Sequence, residues 1–132
     1  MNPTELVRLA KTAMQRAYVP YSGYKVGAAL LTKGGKVYLG CNIENAAFGP
    51  SNCAERTAFF TAIAAGETEF ESIAVVGGKD GVVTDIFPPC GVCRQVMQEF
   101  CAPDFMIYMG RGDDSYEAVP LDQLLPYGFN AA

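Results

Sequence analysis

The sequence predicts an α/β fold in which helices flank a single-layer, five-stranded mixed sheet whose last two strands are antiparallel. Runs rich in β-branched and aromatic residues alternate with segments of helical periodicity, an order typical of a sheet covered by helices. The chain has 132 residues, of which 50% are apolar and 18% are charged. Since a chain of this length most simply forms one core, we expect residues 1–132 to be a single domain.

The N-terminal part of the chain predicts a helix followed by a hairpin. Asn2 is a favourable helix cap, Pro3 suits the first helical position, and Glu5 stands where a capping-box acid would lie. Two β-rich runs follow at 24–31 and 37–43. The glycine turn between them is so short that the two strands should pair in antiparallel orientation.

The rest of the chain predicts helices and strands in alternation. The segment 53–65 is apolar nearly all round, which indicates a buried helix. It leads to a short apolar run at 72–76, expected to be a buried parallel strand reached through a βαβ crossover. The remaining predicted elements are a helix that begins at the Cys90–Cys93 segment and continues through Phe100, strands at 105–109 and 116–119, and a short helix at 121–125. Because the link between the last two strands is short, they should be antiparallel neighbours.

Charge and cysteine usage narrow the class of protein. Ten Lys and Arg against fourteen Asp and Glu give a net charge of -4, which lacks the basic surface that binds phosphates. We therefore expect a small-molecule partner and no nucleic acid polymer. No apolar run approaches the ~20 residues that cross a bilayer, and no signal region is evident, so we expect no membrane and a cytoplasmic location. Five cysteines in such a chain favour metal or catalytic thiols over disulfides.

Three of the cysteines have the spacing of zinc ligands. Cys90 and Cys93 are one helical turn apart, so both can reach one tetrahedral ion, and Cys53 can supply a third ligand from the facing helix. Three ligands leave one position open, which is typical of catalytic zinc, and we expect one Zn²⁺ per chain. We interpret Cys41 and Cys101 as small core residues. The alternative is that all five cysteines are core thiols.

The sequence has no histidine, so a carboxylate is the best available base. Glu55 is the motif carboxylate beside Cys53, although two positions on a regular helix lie about 200° apart. The alternative is a capping-box Glu paired with Asn52. Zn²⁺ with three thiolates carries a net negative charge, which two helix N-termini and the Arg56 guanidinium are suited to offset. Arg56 has its own alternative as a surface or helix-pairing cation.

Three motifs occur in a fixed order along the chain. They are Asn42-Ile43-Glu44-Asn45, Cys53-Ala54-Glu55-Arg56 and Pro89-Cys90-Gly91-Val92-Cys93-Arg94-Gln95. Together they closely resemble the small homotetrameric cytidine deaminases, over residues 18–129. The resemblance implies a cytidine deaminase-like three-layer α/β/α arrangement. It also implies zinc-dependent hydrolysis of cytidine and deoxycytidine to uridine and deoxyuridine, with release of ammonia, as in pyrimidine salvage.

The resemblance also implies roles for the residues of the two cysteine motifs. Cys53, Cys90 and Cys93 would hold the Zn²⁺, and Glu55 would take a proton from the zinc-bound water and pass it to the cytosine base.

Further roles follow from the resemblance for the nucleoside pocket. Asn42 and Glu44 would bind the sugar hydroxyls, and the backbone at Ala54 would read the base edge. Tyr24 would lie against the base, where the family usually has Phe. Phe129 would close the pocket of a neighbouring subunit in a homotetramer. The alternative for the two aromatic residues is ordinary packing in the core or at the chain end.

Two classes outside this family remain open. The Cys90-Gly91-Val92-Cys93 segment also resembles a thioredoxin-type dithiol at a helix N-terminus. That function would leave Cys53 and Glu55 without a role. A zinc-stabilised binding module is the other alternative, and it would leave the missing fourth ligand unexplained.

Overall fold

The computed structural model describes residues 1–131, and within this range it contains five strands and four helices. In chain order these are α1 (Pro3–Met14), β1 (Tyr24–Thr32), β2 (Val37–Cys41), α2 (Ala54–Ala64), β3 (Phe70–Lys79), α3 (Gly91–Phe100), β4 (Met106–Gly110), β5 (Tyr116–Pro120) and α4 (Leu121–Leu124). None of the helices in the described range is long and apolar enough to span a bilayer.

The five strands form one mixed sheet in the order β2-β1-β3-β4-β5. Strand β1 is antiparallel to both β2 and β3, strands β3 and β4 are parallel, and β4 and β5 are antiparallel. Helix α1 packs on one face, and α2, α3 and α4 contribute to the core on the other face. The predicted mixed sheet, its antiparallel last pair and the three-layer arrangement are therefore confirmed.

Alternate residues of the interior strand β1 belong to two separate cores. Ala28 and Leu30 belong to the cluster under α2 and α3. This cluster contains the fully buried Phe59. Ala29 and Leu31 belong to the cluster under α1. Since successive side chains of a strand point to opposite faces, a strand buried on both sides reads as a continuous apolar run. The larger core supports the two helices that carry the cysteine motifs.

The predicted crossover through α2 is present, but the strands that it joins are not neighbours. Strands β2 and β3 are both antiparallel to β1, which lies between them. The parallel neighbour of β3 is β4, reached through α3. Strand β3 is also longer than the predicted 72–76, because β1 pairs with it as far as Lys79. Gly78 permits this extension, since a Cβ there would lie 1.9 Å from the carbonyl oxygen of Val82.

Several predicted boundaries are confirmed or shift by one or two residues. The Asn2 side chain accepts a hydrogen bond from the Glu5 N–H at 2.9 Å, as a helix cap does. Strand β2 ends at Cys41 instead of Ile43, which forms isolated bridges to Tyr18 and Asn52. These bridges turn the chain away from the sheet toward the first cysteine motif.

Candidate metal centre and its pocket

The three cysteines of the two motifs converge on one point. The sulfur atoms of Cys53, Cys90 and Cys93 all lie within 4.8 Å of one another. Within residues 1–131 no other group of three or more His, Cys, Asp or Glu residues is placed to hold a metal ion. Cys53 Sγ is 3.6 Å from Cys90 Sγ, which is 3.3 Å from Cys93 Sγ. In a tetrahedral site with Zn–S bonds of about 2.3 Å, sulfur atoms lie about 3.8 Å apart. The donor set and its spacing therefore fit zinc.

Two of the three thiols occupy helix caps. Cys53 is the N-cap of α2 and Cys90 is the N-cap of α3, both with extended backbone, and neither side chain forms a cap hydrogen bond within the described chain. The positive end of each helix dipole thus meets a sulfur atom where a polar cap would normally stand. A helix end of this kind stabilises negative charge, which suits both sulfur atoms to metal binding.

Packing and hydrogen bonds hold both cysteine motifs in place. A Cβ at Gly40 would lie 2.3 Å from the Ala54 carbonyl oxygen, so this glycine permits the start of α2 to approach β2 closely. Arg94 donates from Nε to the Pro89 carbonyl and from Nη1 to the Leu124 carbonyl, both at 2.8 Å. The peptide before Cys90 is thereby tied to the end of α4.

Arg56 lies against the metal-ligand group. Its Nη2 donates to Cys53 Sγ at 3.1 Å. The Cys93 thiol, followed by the Arg56 guanidinium, lowers the pKa of Cys53 to about 5. Arg56 Nε is buried and has no hydrogen-bond partner among residues 1–131, an arrangement that costs about 1–3 kcal/mol. A guanidinium held there at such a cost, with its Nη2 on a ligand sulfur, is suited to offset thiolate charge.

Glu55 is buried beside the three thiols, with 3% of its surface exposed. Burial raises the pKa of this carboxyl to about 7. The alternative of a capping box with Asn52 is wrong, because Cys53 is the N-cap and the Asn52 side chain donates to Thr57 Oγ1 at 3.2 Å. Since Cys53 lies outside the helix, the 200° separation on a regular helix does not apply to this pair.

A cavity of about 590 Å³ opens in front of the thiols, a size typical of small-molecule sites. The sequence-predicted residues that line it are Tyr24, Asn42, Glu44, Cys53, Ala54, Glu55, Arg56 and Cys90. Cys93 is almost fully buried behind Cys90. Phe129 does not line this cavity in the described chain, and its backbone carbonyl accepts from Gln95 Nε2 at 3.1 Å.

The two polar side chains predicted to bind the sugar also make contacts within the chain. Asn42 Oδ1 accepts from the Val26 N–H at 2.9 Å, and its Nδ2 donates to the Tyr24 carbonyl at 2.8 Å. Glu44 accepts hydrogen bonds from Ser22, which lower the pKa of this carboxyl. Both side chains are thus held at the edge of the cavity with part of their hydrogen-bonding capacity still free.

Two aromatic residues of the cavity were missed from sequence. Phe48 lines its mouth while 91% of its surface is exposed, and Phe87 lines it directly before the second cysteine motif. For Phe48 the sequence did carry a signal. Phe48 stands in the Gly49-Pro50 loop that leads into the first motif, where an exposed aromatic residue has no core to join.

The two remaining cysteines lie outside the metal-ligand group. Cys101 ends α3 and packs against the larger core, and burial raises its pKa to about 12. Cys41 is half-buried at the end of β2, and burial raises its pKa as well. These surroundings support their interpretation as small packing residues.

An open zinc position beside a buried carboxylate, at a cavity that fits a small molecule, is typical of hydrolytic zinc enzymes. The family described as the cytidine and deoxycytidylate deaminase zinc-binding region matches residues 1–109. The cytidine deaminase of Sporosarcina psychrophila is 45% identical over 130 residues, covering 98% of this chain and 93% of the relative. The chain belongs to this family of zinc-binding cytidine and deoxycytidylate deaminases.

Two further cytidine deaminases are similar to this chain over nearly its whole length. The cytidine deaminase of Halalkalibacterium halodurans is 46% identical over 131 residues, covering 99% of this chain and 96% of the relative. The solved structure of a cytidine deaminase from Burkholderia pseudomallei matches with a TM-score of 0.90 and 46% identity, covering 98% of this chain and all of that chain. Neither a thioredoxin-type dithiol nor a zinc-stabilised binding module accounts for Cys53 and Glu55 in one site.

Proposed function

We propose that the chain catalyses hydrolytic deamination of cytidine and deoxycytidine to uridine and deoxyuridine, with release of ammonia. The observation that carries this proposal is the buried Glu55 carboxylate beside the three-thiol group at one cavity. Ammonia release from cytidine by the purified protein, with one uridine formed for each ammonia, tests it. A protein that holds one zinc per chain and leaves both nucleosides unchanged would refute it.

Cys53, Cys90 and Cys93 are the proposed zinc ligands. A zinc ion held by them supplies an activated water nucleophile near neutral pH. The two N-cap cysteines place their sulfur atoms at the positive helix ends, and Cys93 follows one turn into α3. The Arg56 guanidinium, with its Nη2 on Cys53 Sγ, offsets part of the thiolate charge.

Glu55 is the proposed proton carrier. Its carboxylate takes a proton from water in the cavity and delivers it to N3 of the cytosine ring while the water oxygen bonds to C4. It then takes the proton of the new C4 hydroxyl and delivers it to the amino group, so that the C4–N bond breaks, ammonia leaves and the C4 carbonyl forms. Burial supports this role, because a carboxyl removed from bulk water exchanges a proton with the substrate and not with solvent. In this role the carboxylate acts on protons and leaves metal binding to the three thiols.

The proposed nucleoside contacts come from the rim and floor of the cavity. Asn42 and Glu44 bind the sugar hydroxyls, the Ala54 backbone at the start of α2 reads the base edge, and Tyr24 lies against the base. The positions of all four residues around the cavity support this assignment. Tyr24 is 48% exposed, so part of its surface is available for a ligand. Lys79 Nζ lies 5.4 Å from its ring centroid.

Replacing Arg56 by Ala should lower kcat by about tenfold to a hundredfold, since a hydrogen bond to a charged group contributes about 1.5–3 kcal/mol. The ligand sulfur would lose its guanidinium partner, so the pH profile of the rate should shift as well. Steady-state rates across pH, with zinc content measured in parallel, check this. Arg111→Ala is the matched control, because Arg111 pairs with Asp85 and Glu117 and does not line the cavity. An unchanged rate and pH profile in Arg56→Ala would exclude charge compensation.

We also propose a homotetramer in which Phe129 completes the pocket of a neighbouring subunit. Phe129 is 73% exposed, and the pocket of its own chain is bordered by the exposed Phe48. The mass in solution should be four times the 14.1 kDa of one chain.

Phe129→Ala should raise KM for cytidine about tenfold, the scale of one truncated aromatic contact. Tyr127→Ala is its control, because Tyr127 is an aromatic residue of the same segment to which we assign no contact with a pocket. A fully active monomer would contradict the shared pocket.

Two sequence predictions stay proposals. We propose that residues 1–132 act as one domain, since the helices on both faces pack against a single sheet. We also propose a cytoplasmic location, which the five free cysteines of the described chain support, because disulfides are rare in that compartment.

A further inference from the structure

We infer that Ser22 is a positioning residue that fixes the Glu44 carboxylate toward the substrate sugar and thereby sets selectivity for sugars that carry a hydroxyl donor there. The inference rests on the proposed function, in which Glu44 binds the sugar. Ser22 does not line the cavity, so it would act through Glu44 and not by touching the nucleoside.

One turn of the chain holds both oxygen atoms of the Glu44 carboxylate. Oε1 accepts hydrogen bonds from the backbone N–H groups of Tyr21 and Ser22, both at 3.1 Å. Oε2 accepts the hydroxyl of Ser22. With three donors from two adjacent residues, the plane and rotation of the carboxylate are fixed.

The hydroxyl of Ser22 is itself oriented. Its oxygen accepts the Tyr24 N–H at 3.0 Å, so its single proton is free to be donated to Glu44. The Ser22 carbonyl accepts from Lys79 Nζ at 2.6 Å. The turn is therefore tied to the start of β1 and to the end of β3, two elements that the core holds firmly. This attachment makes the turn a rigid support for Glu44.

The hydrogen bonds also define what Glu44 can still bind. An ionised carboxylate offers about four acceptor sites, and three are occupied, which leaves one on Oε2. The Ser22 hydroxyl, its N–H and the nearby Lys79 lower the pKa of Glu44, so the group stays an acceptor only. A sugar hydroxyl satisfies the remaining site. A sugar without that donor leaves it unpaired, and a phosphate there would be repelled.

Ser22→Ala tests the inference with cytidine and 2′,3′-dideoxycytidine as the two probes, the second lacking the 2′- and 3′-hydroxyls of the sugar. We expect KM for cytidine to rise about tenfold with kcat nearly unchanged, and the constants for dideoxycytidine to stay the same, so that discrimination falls about tenfold. Ser115→Ala is the matched control. Ser115 Oγ donates to Asp113 Oδ1 at 2.5 Å in the hairpin between β4 and β5, which is the same kind of bond away from the cavity.

Two further variants separate this inference from the proposed function. Glu44→Gln should lose discrimination on its own, and Ser22→Ala added to it should cause no further loss. If Glu44→Gln loses discrimination while Ser22→Ala keeps it, Ser22 is not a positioning residue. If Glu44→Gln keeps discrimination, Glu44 does not bind the sugar and the inference falls with that assignment. A second loss in the double variant would also overturn it, because Ser22 would then act independently of Glu44.

Discussion

The Glu55→Gln variant is expected to retain one zinc per chain and to lose about a hundredfold to ten-thousandfold in kcat, the usual range for a general acid–base group. Gln has the shape of Glu but neither takes up nor delivers a proton near neutral pH. The side chain is 3% exposed, so bulk water cannot easily replace it. The loss of cytidine absorbance gives kcat, and metal analysis of the same sample gives the zinc content.

A carboxylate at the far end of the same helix serves as the control. Glu67 lies just beyond α2 and accepts a hydrogen bond from the Tyr38 hydroxyl at 2.8 Å, outside the cavity. Glu67→Gln should therefore turn over cytidine at the normal rate. Near-normal turnover in zinc-loaded Glu55→Gln would refute the assignment of Glu55 as the proton carrier.

Cys93→Ser should abolish both zinc retention and turnover. Cys93 is almost fully buried and lies 3.3 Å from the sulfur of Cys90, so the other two thiols would be left with a neutral hydroxyl in place of a soft thiolate ligand. Thermal stability should also fall, because a bound metal at about a thousand times its Kd stabilises the folded state by about 4 kcal/mol. Zinc per chain after dialysis, kcat and Tm measure the three effects.

Cys101 supplies the matched control at the other end of α3. Cys101→Ser should keep one zinc per chain and full turnover, and at most lower Tm through lost packing. Full zinc and full turnover in Cys93→Ser would exclude Cys93 as a ligand. Loss of zinc in Cys101→Ser would show that the ligand set extends beyond the three motif cysteines.

The parts of the fold that could be predicted from the sequence are those that local chemistry determines. The cap of α1 depends on Asn2 and Glu5, three residues apart, and the β1–β2 hairpin depends on a short glycine turn. Both are contained within a few residues of the chain. The antiparallel last pair likewise follows from the length of one link.

The structure differs from the sequence prediction where residues distant in sequence determine the length or the place of an element. Strand β3 extends to Lys79 because β1, more than forty residues earlier, pairs with it there. The place of β1 between β2 and β3 is a property of the whole sheet. The exact start of α2 matters most, since Cys53 as its N-cap removes the geometric objection to a shared site with Glu55. Helix boundaries read from a pattern are uncertain by a residue or two, which is the distance at issue here.

The candidate site shows the same division. The spacing of the three cysteines predicted the metal ligands, and the absence of histidine predicted Glu55 as the base, both without knowledge of the fold. The hold of Ser22 on Glu44 and the attachment of Asn42 to β1 were missed, because they join segments sixteen to twenty-two residues apart through backbone groups. Sequence carries no signal for the backbone partner of a side chain. Such contacts become visible only once the strands are paired.

Return of zinc to the metal-stripped protein tests the claim that three thiolates and Glu55 form one hydrolytic zinc centre. The rate of cytidine deamination should rise in proportion to added zinc and reach its maximum at one zinc per chain. The same samples should leave an insulin disulfide unreduced. Full deamination without metal, or disulfide reduction with no turnover of cytidine at any zinc level, would contradict the claim.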